Sequence, residues 1–127
     1  HTVGGAITRA AAGIGERIGA THLVTFTQSG DTARRLSRLR NHIPLLAFSP
    51  LQTTCNQLSV SWGVHAYKVD EVRHTDEMVK QVDHFLREKK LAPEGAQVVI
   101  VAGMPPGTPG ATNSIRVHTV GEQVDFD

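Results

Sequence analysis

The chain holds 127 residues, 39% of them hydrophobic and 20% charged, enough for one globular domain that removes roughly two-thirds of its unfolded surface from water and too few for a second. Thirteen Lys and Arg against twelve Asp and Glu leave a formal net charge of +1, too weak a field for nucleic acid or an anionic membrane to be the main partner. A single cysteine excludes an internal disulfide. No apolar run approaches the roughly 18 residues of a membrane span, and the N-terminus lacks a secretory pattern, so a cytoplasmic protein is expected.

Ile7, Ala11, Ile14 and Ile18 fall at steps of four, three and four, one stripe of a helix from about residue 5 to Gly19. His22-Leu23-Val24-Thr25-Phe26-Thr27 is short, β-branched and aromatic, a buried strand closed by Gly30. A second helix runs from 30–32 to Arg40 with Leu36 and Leu39 as its buried contacts, and Pro44 forbids continuation. A second strand covers 45–48. Ser49-Pro50-Leu51-Gln52 then reads as a helix opening, with Ser49 as N-cap and Gln52 reaching back in a capping box. Leu51, Cys55, Leu58 and Trp62 form that helix's apolar face, and Gly63 ends it.

Residues 64–69 read as a third strand. Thr75 caps a fourth helix with Asp76 and Glu77 in its first turn, Lys89 and Lys90 in its last, and Val79, Val82, Phe85 and Leu86 inward. Val98-Val99-Ile100-Val101-Ala102 has no alternation and is expected in the middle of a sheet covered on both sides. Residues 103–110 are too rich in Gly and Pro for helix or ladder and must form a shaped loop. Ser114-Ile115-Arg116-Val117-His118-Thr119 alternates as a half-exposed edge strand does. The order predicts an α/β fold, a mostly parallel sheet with helices on both faces.

Ligands of open α/β sheets settle at the carboxyl ends of strands, and two unusual segments leave such ends. Thr27, Gln28, Ser29, Gly30, Asp31 and Thr32 offer three hydroxyls, a glycine and a helix start, which suit a phosphate monoester; the same residues also make an ordinary capped turn. The other segment contains Gly103, Pro105, Pro106, Gly107, Thr108, Gly110 and, just beyond, Thr112. Asp31 competes with an anion for the helix start. Arg34, Arg35 and Arg38 offer compensation or a solvated face. No P-loop or G-x-G-x-x-G motif is present, the seven histidines lack metal-ligand spacing, and Cys55 reads as a core residue. His74 and Asp76 sit at a helix entrance, where capping is the simplest role. Nothing assembles a nucleophile, base and oxyanion donor, so no catalytic residue is assigned.

Taken together, Phe26-Thr27-Gln28-Ser29-Gly30-Asp31-Thr32-Ala33-Arg34, Pro44-Leu45-Leu46-Ala47-Phe48, Gln57-Leu58 through Trp62-Gly63, and Thr75-Asp76-Glu77-Met78 form a familiar series. With Val98-Val99-Ile100-Val101-Ala102-Gly103 through Pro106-Gly107 to Thr112-Asn113 and Val117-His118, the chain from about Gly4 to Gly121 resembles the carboxy-terminal domain of bacterial pyruvate kinase. The resemblance implies a three-layer α/β/α fold with a five-stranded mixed sheet, four strands parallel and the last antiparallel. It implies a domain that binds a phosphorylated allosteric effector and supplies a subunit interface of a homotetramer, mapping to about residues 114–120.

In that family, phosphoryl transfer from phosphoenolpyruvate to ADP, with its Mg2+ and K+ ions, belongs to a (β/α)₈ barrel with an inserted lid, neither of which is in this chain. By the same resemblance, Thr27, Ser29, Gly30 and Thr32 match the phosphate-holding turn, and residues 103–112 match the loop that closes over the sugar. Sugar-bisphosphate-regulated relatives commonly carry a basic or amide residue in place of Asp31, and an Arg near Met78 in the best-known case. A sugar monophosphate or a nucleotide is therefore the expected effector. The alternative is a free-standing phosphate-binding or scaffolding module with no kinase partner; a small enzyme built around Cys55 or His74 is a third reading.

Overall fold

A computed structural model of the chain describes residues 2–102 and 112–123. Nine elements follow in chain order: α1 (Val3–Ile18), β1 (His22–Phe26), α2 (Asp31–Arg38), β2 (Leu45–Ser49), α3 (Gln52–Leu58), β3 (Val64–Lys68), α4 (Thr75–Glu88), β4 (Gln97–Ala102) and β5 (Ser114–Thr119). The strands form one sheet in the order β3-β2-β1-β4-β5. β1 lies parallel to β2 and β4, β2 parallel to β3, and β5 runs antiparallel to β4. The expected mixed sheet is therefore present, with one change of position. β1 holds the middle, not β4; β4 reads as a continuous apolar run because both of its faces are buried, Val98, Ile100 and Ala102 in one core and Val99 and Val101 in the other.

Strand residues alternate between two cores. Val24, Leu46, Phe48, Val98, Ile100 and Ala102 meet Met78, Val79, Val82 and Leu86 of α4 on one face. Leu23, Leu45, Ala47, Val99 and Val101 meet Ala11, Ala12, Ala33, Leu36 and Leu58 from the three other helices on the opposite face. The α4 side is aromatic: Phe85 packs edge-on against Phe48, with centroids 4.9 Å apart, and against Tyr67 at 4.7 Å. Each fully buried side chain of this kind contributes roughly 1.5–3 kcal/mol.

The helices differ from expectation in instructive ways. α1 starts earlier, capped by Thr2, whose hydroxyl accepts from Gly5 N at 3.0 Å. It ends as foreseen at Gly19 in the left-handed region. Its buried residues are Thr8, Ala11, Ala12 and Gly15, so small side chains seat the helix close to its neighbours, while Ile18 is exposed. α2 stops at Arg38, and Leu39, expected inside, is exposed at its C-cap.

α3 is much shorter than its apolar spacing suggests. Cys55 and Leu58 are buried, but Leu51 and Trp62 are each 47% exposed. No capping box forms, because β2 runs on through Ser49, whose hydroxyl accepts from Leu51 N at 3.2 Å while Gln52 bonds Asn56. Trp62 lies outside the helix, under the Arg40 guanidinium at 5.2 Å. At α4 the N-cap position belongs to His74, with no side-chain capping bond, and Thr75 is the first helical residue. Lys89 and Lys90 fall beyond the last turn, where Arg87 is the basic residue.

Candidate functional site

β1 delivers its chain to the carboxyl edge of the sheet beside β2, where Thr27 N donates to Phe48 O at 2.9 Å. The turn that follows is held by its own hydroxyls. Thr27 Oγ1, buried, accepts from Gly30 N at 2.8 Å, and Ser29 Oγ accepts from Asp31 N at 3.3 Å. Gly30 is the N-cap of α2 at φ +93°, a conformation that a side chain resists. Ser29 and Asp31 are exposed, whereas Thr27 and Thr32 are buried. The N–H groups of Thr32 and Ala33 lie in the helix's first turn, where the helix itself supplies no acceptor.

Two parts of this site come from far along the chain. Thr54 of α3 donates its hydroxyl to Gln28 O at 2.6 Å. Arg34 Nη1 donates to Ser29 O at 3.0 Å and reaches Asp31 Oδ1 at 3.5 Å, while Nη2 donates to Gln57 Oε1 at 3.2 Å. Asp31, the residue at odds with an anion, is thus paired. Thr54 and Gln57 carry no local signal in the sequence, since their role depends on α3 folding back over the turn.

Thr112 reaches the same place. Thr32 Oγ1 and Thr112 Oγ1 share a hydrogen bond of 2.5 Å. Gly103, Pro105, Pro106, Gly107, Thr108 and Gly110 lie outside the described residues. Met78 is far from playing a ligand role, buried in the α4 core. Cys55 is buried as expected, and burial pushes its thiol pKa up. Burial, followed by the charge of His65, pushes the His22 imidazole pKa down.

A second polar cluster was not foreseen. His118 of β5 is fully buried and donates from Nε2 to Asp83 Oδ1 of α4 at 2.8 Å. The same oxygen accepts from Gly121 N at 2.8 Å, and Arg87 lies 3.5 Å from Oδ2. Burial raises the Asp83 pKa, but the bonds from Gly121 and His118 and the charges of His118 and Arg87 outweigh it, leaving the carboxyl below its ordinary value. The cluster borders an open cleft along α4 lined by Lys80, Asp83, His84, Arg87 and Glu88, with both charge signs on its walls. Among the described residues no three His, Cys, Asp or Glu side chains gather to hold a metal ion. No described helix is long and apolar enough to cross a membrane.

Comparison with known proteins gives a consistent result. The family model described as "Pyruvate kinase, alpha/beta domain" matches residues 5–118. The pyruvate kinase of Mycobacterium tuberculosis is 50% identical over 122 residues, which are 96% of this chain and 26% of that protein. That of Corynebacterium glutamicum is 42% identical over the same length and shares. A solved pyruvate kinase from Cryptosporidium parvum superposes with a TM-score of 0.85 at 21% identity, covering 94% of this chain and 23% of that one, a likeness of fold. The chain thus spans about a quarter of the length of the relatives it matches.

Proposed function

The chain belongs to the pyruvate kinase family as its carboxy-terminal alpha/beta domain, and from that membership we propose that it is the allosteric and subunit-interface part of a pyruvate kinase. The effector is a phosphorylated small molecule, a sugar monophosphate or a nucleotide, with its phosphate on the turn formed by Thr27, Gln28, Ser29, Gly30, Asp31 and Thr32. The observation that carries this reading is the Thr32 to Thr112 bond, which ties the turn to a residue 80 positions along the chain, just beyond the Gly- and Pro-rich stretch of the sequence. The turn's hydroxyls cap its own amides. A phosphate oxygen replaces the long Ser29 bond most readily, because a charge-assisted bond is the stronger one. With Asp31 already paired to Arg34, the helix start is not committed to its own carboxylate.

On the same reading, phosphoryl transfer from phosphoenolpyruvate to ADP takes place in barrel and lid domains outside this chain, with Mg2+ and K+ acting there, in a cytoplasmic homotetramer. β5, an antiparallel edge strand with Val117 41% exposed, is the surface suited to pairing with another subunit. Calorimetric titration of a ribose phosphate and of adenosine monophosphate into wild type, Thr27→Ala and Ser29→Ala tests the site. At least one of the two binds wild type, and each substitution weakens it about tenfold. Equal affinity in all three proteins refutes the assignment.

A further inference from the structure

The three arginines of α2 have different circumstances. Arg34 is spent on the turn, with its guanidinium shared among Ser29 O, Asp31 and Gln57. Arg38 is exposed in the last turn of α2. Arg35 is half-buried and has no hydrogen bond or ion pair among the described residues. Its guanidinium rests on the first turn of α1, above Gly4. A methyl group there would collide with Arg35 Nη1 and lie 3.6 Å from Thr112 Cβ. Arg35 therefore reaches the same spot as Thr112, the residue that Thr32 holds. The first turn of α1 contains no acidic residue, so this cation faces the positive end of a helix with no counter-charge among the described residues. A partly desolvated charge without a partner is unfavourable, and glycine at position 4 leaves the space that the guanidinium occupies.

We propose that Arg35 is a specificity-determining residue of the effector site, supplying the positive charge that pairs with the phosphate of a bound phosphomonoester beside the hydroxyls of Thr32 and Thr112. The proposal rests on reading the turn as a phosphate site and goes beyond it by assigning the counter-charge to Arg35 rather than Arg34. Arg34 holds the shape of the turn; Arg35 reads the charge of the ligand. The residue also accounts for how a turn carrying Asp31 accepts an anion, because Arg34 neutralises that carboxylate and Arg35 adds one positive charge to the balance.

The test titrates inorganic phosphate, a ribose phosphate and adenosine monophosphate into the protein carrying this chain, as wild type, Arg35→Gln, Arg35→Lys, Arg34→Gln and Thr27→Ala. Arg35→Gln weakens the phosphomonoester that binds wild type by about 10- to 100-fold. It also flattens the dependence of affinity on salt, which a purely structural role would leave unchanged. Arg35→Lys restores part of the affinity and all of the salt dependence. If Arg35→Gln binds like wild type while Thr27→Ala does not, the turn is a phosphate site and the role given to Arg35 is wrong. If wild type binds none of the three probes, the reading of the turn fails and the proposal with it. A loss in Arg35→Gln that Arg35→Lys does not relieve, with an unchanged salt dependence, also overturns it.

Discussion

Replacing Asp83 with Ala removes one carboxylate and strands two donors. Oδ1 accepts from His118 Nε2 and from Gly121 N, both at 2.8 Å, and His118 is fully buried with Nδ1 already unpartnered among the described residues. Each buried donor left without an acceptor costs about 1–3 kcal/mol. The Asp83 side chain is 14% exposed, so water reaches the Gly121 side of the gap and relieves part of this. The expected loss is about 2–4 kcal/mol.

Asp83→Asn keeps an acceptor but loses the charge, and costs about half as much. The double variant Asp83→Ala, His118→Leu recovers much of the loss, because it removes the orphaned ring together with its partner. Urea unfolding at neutral pH measures this through the midpoint at constant slope. The folded-state pKa of Asp83 lies below its ordinary value. Its contribution is therefore fully present above the unfolded carboxyl value of about 3.9 and fades as pH falls through the folded one. The gap between wild type and Asp83→Ala should close on acidification below that range. A single variant within about 0.5 kcal/mol of wild type at neutral pH, outside the range expected for a buried polar partner, would refute the reasoning.

Gly30→Ala forces a side chain into the left-handed region and into the Arg34 guanidinium, costing about 1–2 kcal/mol and weakening phosphomonoester binding; thermal melting and calorimetry check the two effects. Cys55, buried and with its thiol pKa raised, should react with a thiol reagent at pH 8 about 100-fold more slowly in the folded chain than in urea; comparable rates would contradict its burial. Val117→Lys on the exposed face of β5 should shift the sedimentation of the parent enzyme toward smaller assemblies, and unchanged sedimentation would move the subunit interface elsewhere.

Where local chemistry and tertiary packing agreed, the residues announced the structure. The unbroken run of β4 marked an interior strand, Gly19 marked a helix end, and Thr27 through Thr32 marked a shaped turn. Where they diverged, packing decided. Ser49-Pro50 carries a complete local helix-start pattern, yet Ser49 pairs with Lys68 in the ladder, and that bonding fixes where α3 begins. Trp62 fell on a helical spacing but gains more from stacking under Arg40. Thr54 and Gln57 were silent because their partners sit on other elements. His118 was the least legible. In an alternating edge strand a histidine reads as the wet face, and only the carboxylate of α4 makes its burial affordable.

The place of β1 in the sheet sets the order in which the molecule can be made. The domain's first strand is the central one, and its second edge meets β4 only when His22 pairs with Val98, after β2, β3 and the helices α2 to α4 have been made. Until then β3, β2 and β1 form a partial sheet whose β1 edge is open and apolar, a template for unwanted pairing. The halves close across a long stretch of chain, which makes this a slow step. A nascent or truncated chain ending before β4 is therefore the species most in need of a chaperone.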